Sequence, residues 1–140
     1  MVQQILSPSF GLQPGDAVAG ILGGDGFACA NISASATSTT QPGATPLPTT
    51  AAFVNINVVG SAGNSAVLPF AIPGQFLFIA NTTVTSCNIF AQSVGNRSNA
   101  NALDVIAAAG VAQANATAFA LAGNTAAVFF CPALGIWAAR

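Results

Sequence analysis

The chain has 140 residues, 53% of them hydrophobic and only 4% charged: two arginines and three aspartates set a net charge of -1, and lysine, glutamate, histidine and tyrosine are absent. A soluble domain usually carries about 25% charged residues, so this chain has almost no electrostatic repulsion to keep copies apart, and its composition predicts association with itself or with a fixed scaffold. Two arginines cannot neutralise a run of phosphates, which excludes nucleic acid as a main partner, and ten phenylalanines among many aliphatic residues exclude a disordered chain.

The length fits one domain around one core. Residues 1–50 hold prolines at 8, 14, 42, 46 and 48, seven glycines and the polar tract 33–41, a texture that interrupts regular structure. They read as an extended arm with one or two brief strands, one of them within residues 27–32. Ile5, Leu6, Phe10, Leu12, Ile21 and Phe27 are apolar anchors that a free tail would not need, and they mark an arm that reaches over a neighbour. Residues 51–140 form the compact β domain.

Within that domain, residues 53–59 (FVNINVV) alternate with period two, placing Val54, Ile56 and Val58 on one face and Asn55 and Asn57 on the other. Residues 61–64 (SAGN) are a turn and 66–70 a short strand weakened by Pro69. Pro73 and Gly74 suit the centre of a type II turn, where proline presets φ and glycine accepts a positive value. Residues 75–80 (QFLFIA) are apolar on both faces and predict a central strand carrying Phe76 and Phe78. Residues 84–92 follow as a strand with Cys87, Ile89 and Ala91 on one face.

After the polar loop 93–102, Asn101 and Asp104 resemble an N-cap pair opening a short helix over 103–109, with a strand over 103–106 as the alternative. Thr117, Phe119 and Leu121 alternate in a further strand. Residues 123–137 (GNTAAVFFCPALGIW) then read as turn, strand, turn, strand. Ala127, Phe129 and Cys131 face one way and Val128 and Phe130 the other, so the strand is expected to be buried on both sides, between sheets or against a neighbouring subunit. Phe76, Phe78, Phe119, Phe129, Phe130 and Trp137 are the candidates for the core or a subunit seam. Short strands between turn signals predict an all-β fold, a single β-sandwich, jelly-roll-like or barrel-like domain of short antiparallel strands. No fixed-period repeat is present, which argues against a solenoid. No apolar run reaches the roughly 20 residues of a membrane-spanning helix, and no basic segment precedes an apolar run at the N-terminus as in a secretory signal.

Little in the chain can do chemistry. General acid and base work calls for histidine or a tuned carboxylate, lysine, tyrosine or cysteine, and only Asp16, Asp25, Asp104 and three cysteines are available. A serine or cysteine nucleophile has no histidine to activate it. Cys29, Cys87 and Cys131 lack CxxC spacing and read as buried thiols rather than metal ligands. Residues 22–26 (LGGDG) lack the lysine and spacing of a phosphate-binding loop. Arg97 and Asp104 read as a local loop brace. Neither cofactor, metal nor enzymatic activity is expected.

One family likeness enters through an ordered set of segments. Val67-Leu68-Pro69 leads into residues 74–81 (GQFLFIAN), followed by Asn88-Ile89-Phe90. An Asn/Ala loop reaches Asp104, then come Leu121-Ala122-Gly123, residues 127–131 (AVFFC) and Gly135-Ile136-Trp137. Together with the lead-in 39–47 (TTQPGATPL), these resemble a small β domain of tailed-bacteriophage structural proteins, among them capsid decoration (cement) proteins and fibre-associated proteins. The likeness covers about the last hundred residues. Ala91 stands where a proline often follows the phenylalanine, Trp137 precedes alanine where a second aromatic is common, and residues 1–38 have no counterpart. The resemblance implies a virion protein, made in the host cytoplasm, that binds the major capsid protein on the outer capsid surface as a homotrimer. A tail-fibre or spike module that binds host glycans is the alternative it leaves open.

Overall fold

The structure is a computed structural model that describes residues 29–35, 41, 43–92, 104–108, 111–112 and 117–140. Among these residues there are strands and turns but no helix. The strands are β1 (Cys29–Ser33), β2 (Thr45–Pro46), β3 (Phe53–Val58), β4 (Ser65–Val67), β5 (Phe76–Asn81), β6 (Cys87–Phe90), β7 (Val105–Ala108), β8 (Val111–Ala112), β9 (Phe119–Leu121), β10 (Thr125–Ala133) and β11 (Ile136–Ala139). They form a seven-stranded sheet in the order β1-β3-β5-β10-β11-β7-β8 and a four-stranded sheet in the order β2-β4-β6-β9. The fold is all-β, as the period-two patterns predict. Strands β1 and β2, from the stretch read as an arm, belong to the same two sheets as the strands after residue 51.

The pairing departs from the antiparallel expectation. The first six strands alternate between the sheets, so β1, β3 and β5 run parallel in one and β2, β4 and β6 run parallel in the other. Each connection crosses to the opposite sheet, and the chain therefore re-enters a sheet from the same end each time. Cys29 lies opposite Phe53 and Phe53 opposite Phe78, offsets of 24 and 25 residues. Thr45 opposite Ala66 and Ser65 opposite Asn88 give 21 and 23. The backbone thus passes between the sheets at offsets of 21 to 25 residues although the sequence has no fixed-period repeat. Strands β9 and β10 then return antiparallel beside β6 and β5, and β11 closes a hairpin on β10 and pairs parallel with β7.

One hydrophobic cluster draws on both sheets. The seven-stranded sheet contributes Val54, Ile56, Leu77, Ile79, Phe129 and Trp137, and the four-stranded sheet Ala66, Cys87, Ile89 and Leu121. Trp137 is fully buried and its indole N–H donates to the Pro69 carbonyl at 3.2 Å. Buried polar side chains sit where the chain changes sheets. Asn81, at the end of β5, accepts from Thr83 and donates to the carbonyls of Thr85, Leu121 and Ala122. Asn64 accepts from the Ser61 N–H at 2.8 Å, and the Gln41 amide donates to the Ala91 carbonyl.

Several local expectations change for identifiable reasons. Of the two readings offered for this segment the strand holds: Val105–Ala108 pairs with β11 and β8, and Asp104 is buried and accepts from the Ala71 N–H at 2.9 Å instead of capping its own chain. Val58 faces out at 50% exposure: a register shift after Ile32 disrupts the pairing of β1 with β3, and Val59 takes the buried place. The strand expected from residue 84 begins at Cys87, since residues 81–85 are committed to the Asn81 and Thr83 turn. The Pro73-Gly74 turn is present, with Gly74 at φ 88 and the Gln75 N–H donating to the Ile72 carbonyl.

Gly123 marks the tightest corner: a Cβ there would lie 2.3 Å from the Val84 carbonyl oxygen. The neighbouring Asn124 N–H donates to the Thr83 carbonyl, so the backbones on either side cannot part without losing that bond. Gly123→Ala should destabilise the fold by about 3 kcal/mol, seen as a lower urea midpoint with an unchanged slope.

Candidate functional site

Strand β10 was expected to be covered on both sides, by sheets or by a neighbouring subunit, and within the single chain one side is buried. Ala127, Phe129 and Cys131 point into the core, whereas Phe130 is 44% exposed and Ala126 and Pro132 are open. The same split runs through β5, where Leu77 and Ile79 are buried and Phe76 is 47% exposed. The outer face of the seven-stranded sheet is therefore apolar and open, and this is the feature on which a function can rest.

Register builds that face. Phe53 lies opposite Phe78 in the parallel β3–β5 pair, and their rings stack at 4.8 Å with an interplanar angle of 1°. That separation matches the spacing of adjacent strands, so two like residues in parallel register stack without strain. Phe76 meets Phe78 edge-on at 4.8 Å and 79°, within the range of favourable aromatic pairs. Phe130 lies opposite Phe76, and Val128 opposite Phe78. Ala138 follows Phe130 across the next pair, and Ala107 follows Ala138. Ile72 and Leu134 are also exposed, on two neighbouring turns where the Gly74 N–H donates to the Cys131 carbonyl and the Gly135 N–H to the Ala71 carbonyl. An exposed apolar face of this kind is commonly a contact surface.

A polar margin borders it. The Asn55 amide donates to Asn31 Oδ1 at 3.0 Å, and the Thr82 hydroxyl donates to Asn55 Oδ1 at 2.8 Å. Beside Phe76 lies a groove of about 290 Å³, lined by Pro48, Thr49, Thr50, Gln75, Phe76 and Trp137 among others. Among the described residues one charged side chain joins this face: exposed Arg140 lies opposite Val128 and so ends the row that runs from Phe53 through Phe78 and Val128.

The sequence candidates divide accordingly. Phe129 and Trp137 are core residues, and Phe119 is half-buried and packs edge-on against Phe129 at 5.3 Å. Phe76 and Phe130 are surface residues, with half-buried Phe78 between Phe76 and Phe53. Phe53, Ile72 and Leu134 were not among the candidates. Phe53 opens the alternating run and the two aliphatics sit on turns, so none of the three carries a local signal of an exposed contact residue. The arm anchors Ile5, Leu6, Phe10, Leu12, Ile21 and Phe27 lie outside the described residues, as do Asp16, Asp25 and Arg97 and the Leu22–Gly26 stretch.

Among the described residues titratable groups gather at no one place. Asp104 is fully buried between β7 and the residue 71 backbone. Cys87 and Cys131 are buried thiols, and the Cys131 Sγ donates to the Ala133 carbonyl at 3.1 Å; the Cys29 side chain lies outside the described set. Among the described residues no three His, Cys, Asp or Glu side chains cluster as metal ligands would. Comparison of the chain with protein-family models, with curated proteins and with solved structures found no match.

Two outcomes follow for the buried groups under this face. Trp137→Ala should cost about 3 to 5 kcal/mol, measured by urea unfolding, because the indole fills the core beneath the sheet. Burial pushes the Cys87 thiol up from 9.0 to about 11. The unfolded chain then releases that proton first, so stability present below pH 9 falls as pH rises towards 11, by up to about 1.4 kcal/mol per pH unit. Cys87→Ala should remove that part of the slope in unfolding curves taken between pH 8 and about 11.

Proposed function

We propose that this chain is a virion structural protein of a tailed bacteriophage, a capsid decoration subunit that binds the outer capsid as a homotrimer and reinforces it. In this reading the two sheets form a sandwich and act as an assembly body, without enzymatic activity. The N-terminal arm reaches the major capsid protein through Ile5, Leu6, Phe10, Leu12, Ile21 and Phe27. The observation that carries the reading is the open aromatic face of the seven-stranded sheet, in a chain with only five ionic side chains. The likeness of residues 74–81, 127–131 and 135–137 to a phage structural domain supplies the setting.

The mechanism is area and multivalency. Apolar surfaces close the trimer, and three tethered arms bind together, so that the second and third contacts form at high effective concentration. Few charges make attachment nearly independent of salt. One observation favours a second reading: the hydrogen-bonded Asn31, Asn55 and Thr82 margin beside Phe53 and Phe78 would suit a tail-fibre or spike module that binds host glycans. Trp137, the only tryptophan, is buried and supplies no sugar platform.

The full chain should sediment at three times the monomer mass and bind particles that lack it, raising their heat resistance. Its affinity should change less than about threefold between about 0.1 M and 1 M salt. A monomer at micromolar concentration, or release by moderate salt, would overturn the decoration reading. Gold labelling on the tail rather than the head would replace it with the fibre reading.

A further inference from the structure

We infer that residues 1–28 of the same chain cover the Phe76–Phe130 face of the seven-stranded sheet while the chain is free. The inference goes beyond the decoration reading and does not depend on it: whatever the chain attaches to, the apolar anchors of this segment must leave the face before they reach another surface. Three observations select the segment as the occupant.

The first is where it joins the sheet. Residue 29 opens β1, an edge strand, and lies opposite Phe53, the start of the row that runs through Phe78 and Val128 to Arg140. The segment is therefore anchored at one side of the aromatic rows. Four strand steps of about 4.8 Å separate β1 from β11, a width of about 19 Å. An extended chain crosses that distance in about six residues, so a fraction of the segment spans the face.

The second is the match of apolar groups under a tether. The segment holds Ile5, Leu6, Phe10, Leu12, Ile21 and Phe27, and the face offers Phe76 and Phe130, opposite each other in β5 and β10 with nearly half of each exposed. A separate partner loses translational and rotational freedom when it docks. A segment joined to the sheet edge loses far less, because its effective concentration at the face is high. The third observation is charge. Among the described residues Arg140 is the one cation, and it is exposed at the end of the row. Residues 1–28 carry Asp16 and Asp25 and neither lysine nor arginine, while the remaining aspartate, Asp104, is buried elsewhere in the fold. The segment thus brings the sign that this face calls for.

The test uses the full chain in three forms: wild type, an arm variant with Ile21→Ser and Phe27→Ser, and a face variant with Phe76→Thr and Phe130→Thr. Binding of an apolar fluorescent dye reads the face, the rate of thermolysin cleavage within residues 1–28 reads the segment, and circular dichroism with urea unfolding reads the sheets. The arm variant should bind about fivefold more dye than wild type. The face variant should be cut about tenfold faster within residues 1–28, because cleavage follows the population of the open form, while its circular dichroism stays that of wild type. Phe130→Thr alone replaces the face variant where the pair lowers the unfolding midpoint. Both wild-type readouts should be independent of chain concentration, as a contact within one chain requires. A wild type that binds as much dye as the arm variant and is cut as fast as the face variant would overturn the inference. Protection that fades on dilution would also overturn it, and would give the face to a second copy.

Discussion

Passing from one sheet to the other is the constraint on which this structure depends. At each passage the backbone leaves a strand ladder close to the core, where an unpaired amide or carbonyl is costly. Buried side chains take up those groups. Asn81 joins the end of β5 to residues 83–85 and to the carbonyls of residues 121 and 122, so one amide holds two corners that are forty residues apart. Asn64 closes the corner between β3 and β4, and Asp104 accepts from residue 71 in the corner between β4 and β5. Neutral amides suit the task, since desolvating them costs far less than desolvating ions. A chain with five ionic side chains and abundant asparagine is thereby matched to a fold that crosses layers at almost every turn.

The winding also determines what the larger sheet exposes. Parallel neighbours with offsets of 24 and 25 residues place Phe53 beside Phe78, and the antiparallel return of β10 places Phe130 beside Phe76. Residues distant in sequence thus gather on one surface, while their chain neighbours Leu77 and Phe129 enter the core. The polarity of each strand is divided between two apolar faces of different fate. One enters the buried cluster that residues of both sheets share, and the other remains open with its rings held in place by one another.

Strand identity was legible from short-range pattern, and topology was not. Residues 75–80 are apolar on both sides, and β5 is indeed central, flanked by β3 and β10. The Pro73-Gly74 and residue 61–64 turns were visible because a positive φ demands glycine. What those turns connect was invisible: a tight turn serves equally as a hairpin or as a corner between sheets, and nothing local distinguishes the two. The antiparallel expectation failed for that reason. Period-two pattern likewise shows that β10 has two apolar faces without showing whether a second layer covers both, so Phe130 and Phe129 looked alike. The Asp104 segment could be read as helix start or strand, because the hydrogen-bond partner that decides it, residue 71, lies thirty-three positions away.

The open face has a kinetic character that follows from its chemistry. With five ionic side chains and a net charge of -1 there is little long-range steering, and encounters fall near the neutral regime of about 10⁵ to 10⁶ M⁻¹s⁻¹. Affinity must then come from slow separation once the rings are desolvated, and differences between related contacts appear mainly in the off-rate. Rigid stacking helps, because a face whose side chains are already ordered loses little entropy when covered. For a subunit of the proposed kind, which would attach once and stay, slow neutral association is no handicap. For a transient receptor-binding module it would be, since capture there depends on the speed of encounter. The distribution of charge and order on this sheet therefore weighs toward a permanent contact.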